Sequence, residues 1–145
     1  MRITRALLVL GAAACSNSTS SGSLPPGATL TGRWLYSIGT LTSVGGAVTC
    51  AVSGISLNLV QAGSNLSGTY SGGTINCGGL LPPGSGSVAN GSVSGSAVNF
   101  DFDSPNWHST GQATSASSMT GNATVQLTVS GNSYLMSGTW LASHQ

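Results

Sequence analysis

Charge is what this chain of 145 residues almost lacks: it holds no lysine and no glutamate, three arginines and two aspartates. Arg2 and Arg5 stand in the first five residues, so beyond them Arg33 alone is set against Asp101 and Asp103. Nucleic acid is thereby excluded as a partner, because neutralising several phosphates takes a basic footprint that one arginine does not supply. Acidic membrane surfaces are poor partners for the same reason. Helical patterning is missing as well. Beyond the N-terminal segment no stretch places apolar residues at i, i+3 and i+4, and 22 glycines argue against a helix. Catalytic groups are scarce. Besides Arg33, only His108, His144, Asp101 and Asp103 are able to charge or work near neutral pH, and no GxSxG elbow occurs. These absences predict a protein that is not an enzyme and has neither cofactor nor metal. They do not predict disorder, since Trp, Tyr, Phe, Val and Ile recur regularly.

What is present begins with Met1 to Cys15, MRITRALLVLGAAAC. Two arginines precede an apolar run, and Ala6 to Ala14 is too short to cross a bilayer of ~30 Å as a helix, so the segment reads as an export signal. It resembles the bacterial lipoprotein lipobox, with Ala12 where a leucine is usual. The resemblance implies a diacylated Cys15 at the mature N-terminus and a cell-envelope location, at the outer membrane or cell surface, with membrane contact through the lipid only. Ser16 to Ala28, SNSTSSGSLPPGA, has no apolar periodicity and reads as a tether. The predicted organisation is a signal peptide over 1–14, lipidated Cys15 and a Ser/Pro-rich tether over 15–28, and one β-barrel domain over 29–145. About 130 residues remain after the signal, a single-domain length.

The remainder alternates with period two. Ile55, Leu57 and Leu59 share one face, as do Val98, Phe100 and Phe102, and Ala123, Val125, Leu127 and Val129, each against polar residues on the other face. With strands near 31–38, 85–93 and 108–114, the chain is predicted to be all-β: an antiparallel up-and-down meander of about eight strands. Closure into a barrel is expected because it removes sheet edges and covers the apolar face; a β-sandwich is the alternative.

Three Gly-polar pairs, Gly63-Ser64, Gly95-Ser96 and Gly131-Asn132, suit two-residue type II′ turns. Folding about the first sets Leu57 opposite Tyr70 and Leu59 opposite Gly68. Folding about the last sets Val129 opposite Tyr134, Leu127 opposite Met136 and Ala123 opposite Trp140. Extended without a bulge, the first hairpin also brings Cys50 opposite Cys77, on the face away from Leu57. In an exported chain that pair predicts a disulfide.

The fragments TGRW (31–34), SGTY (67–70) and SGTW (137–140) share a small residue, a glycine, any residue and an aromatic. With the meander, they resemble the small eight-stranded barrels of the avidin and lipocalin type, where Trp34 and Tyr70 match aromatics of the first and third strands. Tyr36, Thr40 and Gly72 stand where avidins carry polar biotin contacts, so only Tyr70 carries over and biotin is not the implied ligand. Packing gives a simpler account of these glycines, because large aromatics need small cross-strand neighbours.

Ser104-Pro105-Asn106-Trp107-His108 joins two strands and offers Trp107, Asn106 and His108 for a sugar or planar molecule at a barrel mouth; a Trp107 folded back as a lid is the packing alternative. Tyr70 and Trp140 complete the candidate binding set, and Trp34, Tyr36, Tyr134 and Trp140 are expected in the core or lining a pocket. Asp101 and Asp103 fall on the polar face opposite Phe100 and Phe102 and are expected as solvated exterior carboxylates. With His108 they match no metal loop. His144, next to the C-terminus, is expected to fray. Together these features predict a non-catalytic binding module for a small apolar or planar ligand or an envelope partner. A structural envelope or matrix component is the alternative, and an enzyme the third reading.

Overall fold

The computed structural model describes residues 24–25, 28–81, 84–103 and 106–145. The predicted signal, the lipidation site Cys15 and most of the tether lie outside these residues. Ten antiparallel strands follow: β1 (Gly32–Ser43), β2 (Thr49–Ala62), β3 (Asn65–Ser71), β4 (Thr74–Asn76), β5 (Leu80–Leu81), β6 (Ser85–Ser94), β7 (Ala97–Phe102), β8 (Trp107–Ser115), β9 (Ser118–Val129) and β10 (Asn132–His144). Their order is β1-β10-β9-β8-β7-β6-β3-β2, and β1 pairs with β2, so the meander closes into an eight-stranded barrel. β4 prolongs the β3 edge along β2 beyond Gly72 and Gly73, and β5 is added outside it. The alternating faces predicted from the sequence are those buried. Ile55, Leu57, Leu59, Val98, Phe100, Phe102, Ala123, Val125 and Leu127 all point into the barrel.

Two hairpins turn as expected. Gly63 and Gly95, at φ 63° and 59°, take the first central position of two-residue turns, and Leu57 faces Tyr70 while Leu59 faces Gly68. The third differs. The turn is Ser130-Gly131, both with positive φ (49° and 81°), the type I′ signature, so Asn132 pairs with Val129 and Tyr134 with Leu127. Every partner is displaced by two residues from the expected register, which puts Trp140 opposite Gly121 and preserves the buried face.

Cys50 and Cys77 form the predicted disulfide, with Cα atoms 4.2 Å apart. Their register is as expected, their face is not. Cys50 is 2% exposed and lies in the core with Leu57. The reason is Gly54, at φ 72° and exposed, a conformation that side chains disfavour. Both Ser53 and Gly54 point outward, so inward positions change from even (Val52) to odd (Ile55). On the facing chain Gly72 and Gly73 do the same between Tyr70 and Ile75, so the two irregularities cancel in the pairing and the partners stay aligned.

Aromatic rings occupy the barrel interior. The Tyr36 ring meets Phe100, Phe102, Trp107 and Trp140 with centroids 5.5 to 6.1 Å apart, in edge-on and stacked geometries that suit aromatic pairs. Trp140 lies over Gly111 and Gly121, which face each other across β8 and β9; a Cβ on Gly111 would stand 2.7 Å from the indole. Its Nε1 donates to the backbone carbonyls of Thr110 and Asn122. No buried side-chain nitrogen or oxygen among the described residues lacks a hydrogen-bond partner. The outward faces of β9 and β10 carry mainly Ser, Thr and Asn, with Leu135 and Leu141 exposed among them. His144 is held where fraying was expected: its backbone pairs with Trp34, and its ring stands edge-on to that indole at 5.0 Å. Gly32 leaves the space, since a side chain there would collide with the imidazole.

Candidate functional site

The predicted binding residues separate into two groups. Trp107, Tyr70 and Trp140 belong to the core, with exposures of 2%, 2% and 0%. Trp107 opens β8 instead of standing in the preceding loop. Its position shares the inward parity of Ser109, and its Nε1 donates to the Tyr36 hydroxyl at 3.1 Å. Trp107 is thus a core side chain on a strand, neither the exposed loop ring nor the lid expected from the sequence, and its ring is withdrawn from water. Tyr70 stacks on Phe102 at 4.5 Å. Asn106 and His108, the outward neighbours of Trp107, remain exposed.

These two meet both carboxylates of the chain in an open groove of about 510 Å³ on the outer wall, over β6 to β10. Strand pairing assembles it. Asp101 is directly opposite His108, and His108 is opposite Thr124, so residues distant in sequence form one transverse row. Gln126 and Leu135 extend the lining on β9 and β10, and Leu135 is 57% exposed. Phe102 and Trp107, whose side chains are buried, also border it.

Asp101 is the hub. One carboxylate oxygen contacts His108 Nδ1, and the other accepts from Asn90 Nδ2 at 2.9 Å. Partial burial pushes its pKa up, but the hydrogen bonds from Asn90 and His108 and the histidine's charge outweigh this and hold it below the ordinary carboxylate value. Asp103 is also held low, first by the Ser87 backbone N–H, against some desolvation, with a contribution from the Tyr70 hydroxyl. Both stand on the outer wall as the alternation predicts, Asp103 exposed and Asp101 half-buried, and each accepts hydrogen bonds there.

Asn90 was not among the sequence candidates. It has φ 50°, left-handed for a non-glycine residue, and sits where the β6–β7 register shifts between Ala89 and Ser92. Asparagine tolerates this conformation better than most residues, and a bulge re-aims a side chain, here onto Asp101. The Asn90-Gly91 dipeptide inside an otherwise alternating strand was the available signal. On the far side Asn106 Nδ2 reaches Gln126 Oε1 at 3.5 Å, and Gln126 Nε2 donates to Ser133 at 3.2 Å.

Asp101, Asp103 and His108 make no metal cluster; no group of three or more His, Cys, Asp or Glu able to hold an ion occurs among the described residues. No family model matches the chain, and neither a curated protein nor a solved structure matches it.

Proposed function

We propose that this is a non-catalytic binding module of the cell envelope, exported and anchored through a lipid on Cys15, which engages a small ligand or a partner's segment at the outer groove. The observation that supports it is the convergence of both carboxylates of a nearly uncharged chain, with His108 and three side-chain amides, on one concavity of ligand size. The aromatic cluster inside the barrel makes the interior a scaffold, which favours the outer wall over the apolar interior pocket suggested by the sequence. Against catalysis stands the engagement of both Asp101 oxygens by Asn90 and His108, which suits a rigid binding surface better than a proton carrier.

Native mass spectrometry of the protein extracted from its host's membranes tests this reading. A diacyl or triacyl mass on Cys15, with a discrete non-covalent passenger lost in His108→Ala, is the expected result. A passenger that persists in His108→Ala overturns the groove as the site.

A second reading, a structural envelope component, is favoured by Leu35 and Leu141, which are 40% and 63% exposed. They lie diagonally adjacent on β1 and β10, where Leu35 pairs with Ser143 and Ser37 with Leu141. Homo-oligomers that dissociate in Leu35→Ser/Leu141→Ser would establish that role.

A further inference from the structure

We propose that the outer groove is a saccharide site that takes a neutral di- or trisaccharide, held by the amides of Asn90, Asn106 and Gln126 and by His108; this rests on the groove being the binding site. The charge pattern removes one ligand class. The groove contains two aspartates and no lysine or arginine, and its one possible cation, His108, already stands against Asp101, so phosphates, sulfates and carboxylates meet net repulsion. Simple cations are disfavoured by what already occupies the carboxylates. His108 and Asn90 take one Asp101 oxygen each, and the Ser87 N–H takes an Asp103 oxygen. A strongly apolar ligand would bury these polar groups without partners, which is unfavourable.

A neutral polyol fits what remains. Each carboxamide offers a donor and an acceptor on one planar fork, and each sugar hydroxyl offers both as well. The Asn90 and Asn106 amides each spend an N–H on the protein, on Asp101 and Gln126, and each still has a carbonyl oxygen able to accept from a hydroxyl. Asp101 takes the Nδ1 side of His108, which leaves Nε2 with no protein partner among the described residues. Leu135 supplies exposed apolar surface beside these polar groups, as the C–H face of a pyranose ring requires. The anchors are held in advance: the bulge fixes Asn90, and the Asp101 contact orients His108, so little ordering is left to binding.

The test is a two-dimensional NMR titration of the full chain, following the side-chain amides of Asn90, Asn106 and Gln126. The probes are maltotriose, cellobiose and N,N′-diacetylchitobiose, with glucose 6-phosphate and spermidine for comparison. At least one neutral saccharide should move these signals saturably at millimolar concentration. Its affinity should fall at least tenfold in His108→Ala and in Asn90→Gly, two exposed positions whose changes leave the core untouched, while glucose 6-phosphate leaves the signals in place. If no saccharide moves them, the assignment is overturned. Saturable shifts with spermidine alone also overturn it, yet they would leave the groove standing as a site, for cations. The groove itself fails on a different result, the host passenger that survives His108→Ala.

Discussion

The Tyr36 hydroxyl lies 3.1 Å from Trp107 Nε1 and 3.1 Å from the Ser109 hydroxyl, and so joins β1 to β8 across the barrel interior. All three side chains are buried, at 0%, 2% and 0% exposure. Tyr36→Phe keeps the ring contacts and removes the one group that satisfies both neighbours, so a loss of about 1–3 kcal/mol is expected. Urea unfolding should show a lower midpoint with an unchanged slope. Tyr36→Phe combined with Ser109→Ala should lose less than the sum of the single changes, because the orphaned serine is gone. Trp107→Ala, which empties the cluster, should lose about 3–5 kcal/mol.

That triad also shows which parts of the molecule could be read in the sequence. Period-two alternation identified the strands and their inward faces, and two turn pairs set two hairpin registers, because these signals are local. What failed depended on single residues inside strands. Gly54 could continue a strand or bulge it, and only the bulge puts Cys50 in the core. Ser130-Gly131 and Gly131-Asn132 are both acceptable turns that keep the same face, so alternation does not choose between them. Trp107 follows a proline-containing segment that resembles a loop, yet its parity with Ser109 already placed it inward. The groove was half legible. Asp101, Asn106 and His108 were seen as outward or exposed, but Asn90, Gln126 and Leu135 come from other strands and join them only once the barrel order brings β6 to β10 together.

Disulfide reduction should destabilise the barrel by about 3.5 kcal/mol on chain entropy for a separation of 27 residues. Thermal unfolding with and without reductant reads this directly. Intact mass after alkylation without reductant should show no label on Cys50 or Cys77. Label on both would mean that the pair is open in solution.

The pH dependence of stability should fall off at both extremes, for opposite reasons. Asp101 and Asp103 are held below the ordinary carboxylate value of about 3.9, so the unfolded chain binds more protons there and stability is lost as pH falls through that range. Asp101→Asn/Asp103→Asn should flatten this acid limb. Burial pushes the Tyr36 phenol up, and the hydrogen bonds with Ser109 and Trp107 offset this only in part. Above about pH 10 the unfolded phenol ionises while the buried one stays neutral, so stability falls as pH rises. Tyr36→Phe should flatten that alkaline limb. Urea midpoints across pH for the three proteins check both signs.

Asn90 separates backbone strain from ligand contact, because the two can be removed one at a time. Its φ of 50° is left-handed, which glycine adopts freely and alanine does not. Asn90→Gly should therefore keep the bulge and stay within about 0.5 kcal/mol of the parent, the range usual for surface changes. Asn90→Ala should lose about 1–2 kcal/mol, because the alanine Cβ crowds the following carbonyl oxygen in this conformation and brings no polar group to bond locally in return. Both variants remove the amide that donates to Asp101, so both should raise the Asp101 pKa toward the ordinary value, measurable by carboxyl carbon NMR against pH. Equal pKa changes with unequal stabilities would show that Asn90 is there for the groove and that its backbone is matched to that task. Equal stabilities would mean that the bulge relaxes when alanine replaces it, and that the left-handed turn is not imposed by the barrel.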